Sequence, residues 1–398
     1  MKKFLLHKVL VVFVTGLAIM VFSVAQSEAG AKKKPIKIAI TCCFIGPHAA
    51  MAGFCYAEKD YYTYLNETQG GIMGHPIEVT LFGDAETPKE MAHYRSFAPY
   101  VHSISLYSTM ANRALKKEVN EIDRIPTMTG TMDEVALGPY KFLVGPSYQK
   151  QTEVSLKRIA KLGGKKVAIL HGNFGWMIEV PKQIIAKKIP EKLGLKIVDV
   201  VEYMCNSADI TSEMARIKRH NPDYIWVWGA PPGIHVAAAL RLGIPVKKLF
   251  YNHWITHGMI EKKFGKKADG LLGWMMFPTV DMVMSHPDLP VAKELKEFFT
   301  NHKPYSRSWP YIRGWVIGRI RMEVIKRVLE KTGNVIPDDI HVFRDNIRDG
   351  FLNLKDYDLG IGHGLGKIDY SDHMGWHKMM PAIMKNGKWE TGQYESFK

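Results

Sequence analysis

Residues 36–84 fix the class of fold. Ile36, Ile38 and Ile40 open an apolar run with strand character, and Gly46-Pro47 stops it as a turn. A helical pattern follows from about Phe54 to Asn66, with Tyr56, Tyr61, Tyr62 and Leu65 at helix-compatible spacing. Glycines at 70, 71 and 74 break that helix, and residues 76–83 read as a second strand ending at Asp84. Strand, helix and strand of this length make one right-handed βαβ unit on a parallel sheet. Such sheets bind ligands beyond the carboxyl ends of their strands, so residues 46–52 and 84–87 are expected to face a site.

The rest of the chain repeats the unit. Residues 100–107 are expected to form a third strand, followed by Ser108, Thr109 and a helix over 110–121. A short strand and loop follow at 125–133. Helix 149–162, strand 166–170, helix 177–192, strand 197–201, helix 209–219, strand 224–228, helix 233–241 and strand 248–251 then alternate. Residues 312–331 carry the pattern of a long amphipathic helix ended by Gly333. With 398 residues there is enough chain for two α/β domains, both sheets parallel with helices on each face.

Residues 38–53, 64–74 and 83–88 resemble the opening of periplasmic solute-binding proteins of ABC transporters, with the branched-chain amino-acid (Leu/Ile/Val) binding type the closest match. The resemblance continues to the C-terminus. It implies a type I periplasmic binding protein: α/β, two doubly wound parallel-sheet lobes joined by a three-segment hinge. One lobe is expected over 35–146 plus 278–358, the other over 147–277 plus 359–398.

In that family the turn after the third strand grips a ligand carboxylate, and Ser108 lies at or within a residue of that place. Hydroxyls at a helix start also serve as ordinary caps, and Ser108 and Thr109 fit either role. Thr129 and Thr131 fall in the family's other ligand-binding turn, where Thr131-Met132 shifts the expected hydroxyl by one. Phe174-Gly175 resembles the Tyr-Gly pair that relatives present from the second lobe. Trp176 and Trp254 sit in loops that line the cleft or pack as core. The ligand set implied is Met51, Tyr107, Ser108, Thr109, Thr129, Thr131, Phe174, Trp176, Asn252, His253 and Trp254. Amino-acid binders of the family hold the ligand ammonium with an acid in the loop after the strand matching 248–251. Here that loop reads Asn252-His253-Trp254. An unpaired ammonium in a closed site costs several kcal/mol. The expected solute is therefore a small carboxylate or amide, aromatic ones included, or an amino-acid-like molecule, with typical α-amino acids disfavoured.

Lys2, Lys3 and Lys8 precede an apolar segment from Val9 to Val24, and small residues follow at Ser27, Ala29 and Ala31. That order reads as a signal peptide, residues 1–29, cleaved near Ala29 or Ala31; an uncleaved anchor is the alternative. Its removal takes three lysines and Glu28, so the net charge falls from +15 to +13. A basic exported protein meets anionic solutes rather than nucleic acid, and no nucleic-acid partner is expected. In an oxidising compartment Cys42 or Cys43 can pair with Cys55, or the thiols stay free and buried.

Catalytic signatures fail: there is no Gly-x-Ser-x-Gly elbow, Walker loop or His-Glu-x-x-His helix. The pairs His253/His257 and His373/His377 have ligand spacing, but Gly258 and Gly375 argue against regular helix there. No metal, cofactor or enzymatic activity is expected. The reading is a monomeric periplasmic binding component that closes on its solute and delivers it to an ABC permease and ATPase. A ligand sensor on the same fold, or an enzyme that kept it, are the rivals.

Overall fold

The computed structural model describes residues 33–46 and 48–397, so the expected signal peptide lies outside the described residues. The first unit consists of β1 (Ile36–Thr41), α1 (Gly53–Gln69) and β2 (Ile77–Phe82), with β1 and β2 parallel and Ile36 opposite Ile77. α1 stops where Gly70 turns left-handed (φ 68°) and gives its N–H to the Asn66 and Leu65 carbonyls. α2 (Pro88–Phe97) starts with a proline and a Thr87 cap. β3 (Ser103–Leu106), α3 (Thr109–Ala114), β4 (Thr127–Thr129) and β5 (Lys141–Phe142) complete a parallel sheet of order β2-β1-β3-β4-β5. The helix expected over 110–121 is not continuous. Its regular part stops at Ala114, and Glu118–Ile122 widens into a π-helix where the Asn120 side chain donates to the Lys116 carbonyl.

The chain then crosses to α4 (Tyr148–Lys161) and a second sheet. β6 (Lys166–Gly172), α5 (Gly175–Ala186), α6 (Ile189–Lys192), β7 (Lys196–Tyr203), α7 (Thr211–Arg219), β8 (Tyr224–Trp228), α8 (Ile234–Arg241), β9 (Leu249–Tyr251), α9 (Gly258–Phe264) and β10 (Leu272–Met275) follow in order. Their strands are parallel in the order β7-β6-β8-β9-β10. Helices α10 (Val280–Met284), α11 (Pro290–Asn301), α12 (Trp309–Lys331) and α13 (Ile340–Leu352) come next, and α12 packs along α1 of the first lobe. A short hairpin of β11 (Lys355–Asp358) and β12 (Lys367–Asp369) precedes β13 (Lys378–Lys385), β14 (Lys388–Thr391) and β15 (Glu395–Ser396). These last three extend the second sheet with antiparallel pairings, β13 lying against β10. The parallel core read from the strand–helix alternation is thus present in both lobes, and the second carries an antiparallel edge. Asn386 and Gly387, both at positive φ, make its tight turn.

Residues 143–145, 276 and 373–376 lie side by side. Leu143 and Gly145 donate their N–H groups to the His373 and Met374 carbonyls at 2.7 and 2.9 Å. A Cβ on Gly145 would stand 3.0 Å from the Trp376 ring and 3.1 Å from the Met276 sulfur, so only glycine lets the strands approach. Inside the first lobe, α1, β3 and α12 meet at a fully buried ion pair. Arg321 holds Glu58, and Glu58 also accepts from Tyr62 and Ser105 at 2.7 Å each. The Arg321 guanidinium reaches the Ile104 carbonyl as well, at 2.9 Å. A disulfide, Cys42–Cys55, ties the end of β1 to α1, while Cys43 and Cys205 are buried thiols.

Candidate functional site

The carboxyl ends of both parallel sheets point at one cavity, lined by His48, Glu86, Tyr107, Thr109, Gly130 and Thr131 from the first lobe and Tyr148, Trp176 and Trp254 from the second. Side chains nearly fill it: the unfilled centre is ≈ 20 Å³, room for about one water.

The first-lobe wall is polar. Thr109 and Thr131 face each other, their hydroxyls 2.7 Å apart, and Thr131 Oγ1 also accepts from the Asp133 N–H. Tyr107 stacks on Phe54 with centroids 5.2 Å apart and donates its N–H to Thr41 Oγ1 at 2.8 Å. The loop after β2 puts Asp84 and Glu86 in the left-handed region (φ 64° and 65°), which turns the Glu86 side chain towards the cavity. Thr87 Oγ1 on the Asp84 carbonyl, 2.6 Å, and Ala85 N–H on the Cys42 carbonyl, 3.1 Å, hold that loop. Burial and the neighbouring Glu90 carboxylate push Glu86 up to about 7. Burial takes His48 down to about 4, so its imidazole is neutral, and its Nε2 has no partner among the described residues.

The second-lobe wall is aromatic. Tyr148 stacks on Trp176 at 4.7 Å, and Trp228 meets both rings edge-on from behind. Trp254 donates its indole N–H to the Tyr148 hydroxyl at 3.1 Å. Behind it, Arg313 of α12 stands with its guanidinium 5.1 Å from the Trp254 centroid and 5.3 Å from that of Phe54, touching both lobes. Arg313 donates to the Gly130 and Thr129 carbonyls at 2.9 and 3.2 Å, whereas its Nε and Nη1 have no partner among the described residues. Burial lowers it to about 10.

Of the residues expected from sequence, Tyr107, Thr109, Thr131, Trp176 and Trp254 come together on the cavity wall. Phe174 caps the start of α5 and meets His48 across the mouth, centroids 5.0 Å apart. The others lie behind the lining. The Ser108 hydroxyl caps Ala111 N–H, and its own N–H goes to Glu90 Oε1 at 3.1 Å, so the chain's own carboxylate already sits where a ligand carboxylate was expected. Glu90 is held there by Thr41 Oγ1 at 2.7 Å and by Glu86 N–H at 3.2 Å. Thr129 turns its hydroxyl onto the Thr131 carbonyl. Asn252 accepts from Ile255 N–H, His253 bonds Gln151 at 2.6 Å, and Met51 is buried in the turn before α1. His48, Glu86, Tyr148 and Arg313 were not singled out. The expectation that residues 46–52 and 84–87 face the site already contained the first two.

The two histidine pairs serve structure. His257 caps α9, His373 bonds the Lys141 carbonyl, and His377 bonds Asp372. Among the described residues no group of three metal-ligating side chains gathers. No helix among them is long and apolar enough to cross a membrane.

A family model described as periplasmic binding protein matches residues 35–388. Among solved structures, a branched-chain amino acid ABC transporter protein from Thermus thermophilus with bound valine superposes with a TM-score of 0.80 at 22% identity, covering 92% of this chain and 98% of that one. A fatty acid ABC transporter substrate-binding protein from Thermomonospora curvata gives 0.75 at 18%, covering 92% and 94%. A solute-binding protein of an ABC transporter from R. palustris, in complex with 4-hydroxybenzoate, gives 0.73 at 19%, covering 92% and 97%. At these identities the likeness is one of fold. No curated protein matches the sequence.

Proposed function

Because this chain belongs to the periplasmic binding protein family, a family of solute-binding proteins rather than enzymes, we propose that it is the substrate-binding component of an ABC importer. On this reading its leader is cleaved near residue 29. The protein works in the periplasm as a monomer, and the closed form is presented to the permease, with an ATPase driving transport. The solute is a small carboxylate, amide or amino-acid-like molecule with room for an aromatic ring. Valine, fatty acid and 4-hydroxybenzoate, the solutes named for the proteins of similar fold, all carry a carboxylate.

The observation that carries the reading is the cavity wall, with threonine hydroxyls on one lobe and indole faces on the other. A flat solute between them satisfies both sets of contacts only when the lobes are shut, so binding draws the equilibrium towards closure. On this reading the three segments that join the lobes confine their relative motion to a hinge. The boundaries proposed for them are 35–146 plus 278–358 and 147–277 plus 359–398.

Mass spectrometry of solute released on denaturing the purified protein, followed by calorimetry and X-ray scattering with that solute, tests this. We expect micromolar binding and a smaller radius of gyration. A protein that releases nothing, and whose scattering is unchanged across a broad metabolite panel, refutes it.

A further inference from the structure

The second-lobe loop Asn252-His253-Trp254 contains no acid, yet the cavity does contain one. Among its lining residues Glu86 is the only carboxylate, and it comes from the opposite lobe. No hydrogen bond to its side chain is made by the described residues, although its backbone N–H binds Glu90. His48 lies on the same wall, 8% exposed, with Nε2 unpartnered. A half-buried acceptor without a protein donor and an open imidazole nitrogen on one cavity wall suit a partner that brings N–H groups. A bare carboxylate there would instead add negative charge beside Glu90 and the ionised fraction of Glu86. The anion-favouring start of α3 is no outlet, since Glu90 occupies the Ser108 N–H.

We propose, building on the solute-capture reading, that Glu86 with His48 receives the nitrogen end of the solute, so that the ligand carries an ammonium or a primary amide. Its body lies between the Trp176 and Trp254 faces. An amino acid is then bound with its ammonium towards the first lobe, opposite to the family arrangement described above, and the missing second-lobe acid no longer counts against it.

The titratable groups coupled to Glu86 are Glu90 on α2, the Cys43 thiol after β1 and the Tyr107 phenol after β3, with neutral His48 on the same wall. Near neutral pH Glu86 gains negative charge as pH rises, so affinity for a nitrogen-bearing solute rises between pH 6 and 8. The folding contribution of the ligand-free protein has the opposite sign. The native carboxyl keeps its proton up to about 7 while the unfolded one loses it near 4.5, so this contribution to stability falls across that window.

The test is calorimetry on the mature protein with three matched pairs: L-valine and isovalerate, L-phenylalanine and 3-phenylpropanoate, benzamide and benzoate. In whichever pair binds, we expect the nitrogen-bearing member to bind at least ten-fold more tightly. Glu86→Gln should abolish that preference while melting no lower than wild type at pH 7. The wild-type pH series checks the same point without a variant. Equal or better binding of the nitrogen-free acid, or a preference unchanged within two-fold in Glu86→Gln, overturns the assignment and leaves solute capture standing. If none of the six binds, the solute released on denaturation decides: a nitrogen-free one overturns the assignment, and a nitrogen-bearing one whose affinity drops ten-fold in Glu86→Gln supports it. Absence of both binding and released solute overturns capture and the assignment together.

Discussion

Replacing Gly314 by alanine probes the seam between α1 and α12 in one atom. A Cβ at 314 would stand 1.9 Å from the Phe54 carbonyl oxygen, 2.7 Å from its carbon and 2.9 Å from Ala57 Cβ. Ordinary contact begins near 3.4 Å, so the α1 backbone must retreat by 3.4 − 1.9 = 1.5 Å at this point. The neighbours are backbone atoms of a 17-residue helix facing a 23-residue one, so no side-chain rotation relieves the clash. Two effects oppose each other. Alanine favours helix over glycine by about 1 kcal/mol. Parting the helices forfeits a large share of the dispersion contacts along Phe54, Ala57 and Tyr61, and overpacking of this kind costs about 1–3 kcal/mol or more. Backbone against backbone lies at the upper end, so we expect a net loss of roughly 2 kcal/mol. Urea denaturation followed by circular dichroism measures it. Gly258→Ala is the control, because its Cβ would meet only Glu261 Oε2, at 3.9 Å. If the two variants unfold within about 1 kcal/mol of each other, the reasoning about this seam is wrong.

The buried pair offers a second test. Glu58→Gln leaves the Arg321 guanidinium fully buried without its counter-charge, and a loss of about 3–5 kcal/mol is expected. The double variant Glu58→Met/Arg321→Met should recover part of this in the same denaturation assay; a double variant worse than the sum of its singles would contradict it. Arg313→Met should separate stability from binding. It removes a buried cation that has no carboxylate, so melting should stay within a few degrees of wild type. The Trp254 ring and the Gly130 turn lose the guanidinium that holds them from behind, so the two cavity walls are less well placed and affinity for the copurified solute should fall about ten-fold by calorimetry, about 1.4 kcal/mol.

Regular periodicity made the first helix readable to within three residues, while the first strand ends at Thr41, before the expected stop at Gly46. The expected helix 54–66 is observed as Gly53–Gln69, and Gly70 ends it for the anticipated reason. The long helix began earlier than its apolar pattern, at Trp309, because Pro310 in the first turn and the Trp309 indole bonded to the Thr256 carbonyl start it. The antiparallel edge went unread because only the register of 378–385 against β10 reveals it, and register is a long-range property.

At the site, Thr109 and Thr131 were legible from the resemblance, which puts the family's ligand-binding turns after these two strands. Glu86 was not, since its aim depends on a positive φ that a non-glycine residue does not advertise. Tyr148 sat at an expected crossing, a place read for connection rather than contact. Arg313 looked like the polar side of an amphipathic helix. Its surroundings are apolar on nearly every side, and only the tertiary fold supplies Phe54 and Trp254.

The near-complete filling of the cleft by Tyr148, Trp176 and Trp254 means that nothing of a solute's size enters without parting these rings. Capture is therefore an exchange of neighbours for two indoles whose emission responds to the polarity around them, while Trp226 and Trp315 keep their surroundings deep in the two lobes. The chain carries its own optical gauge of occupancy, readable in unlabelled protein.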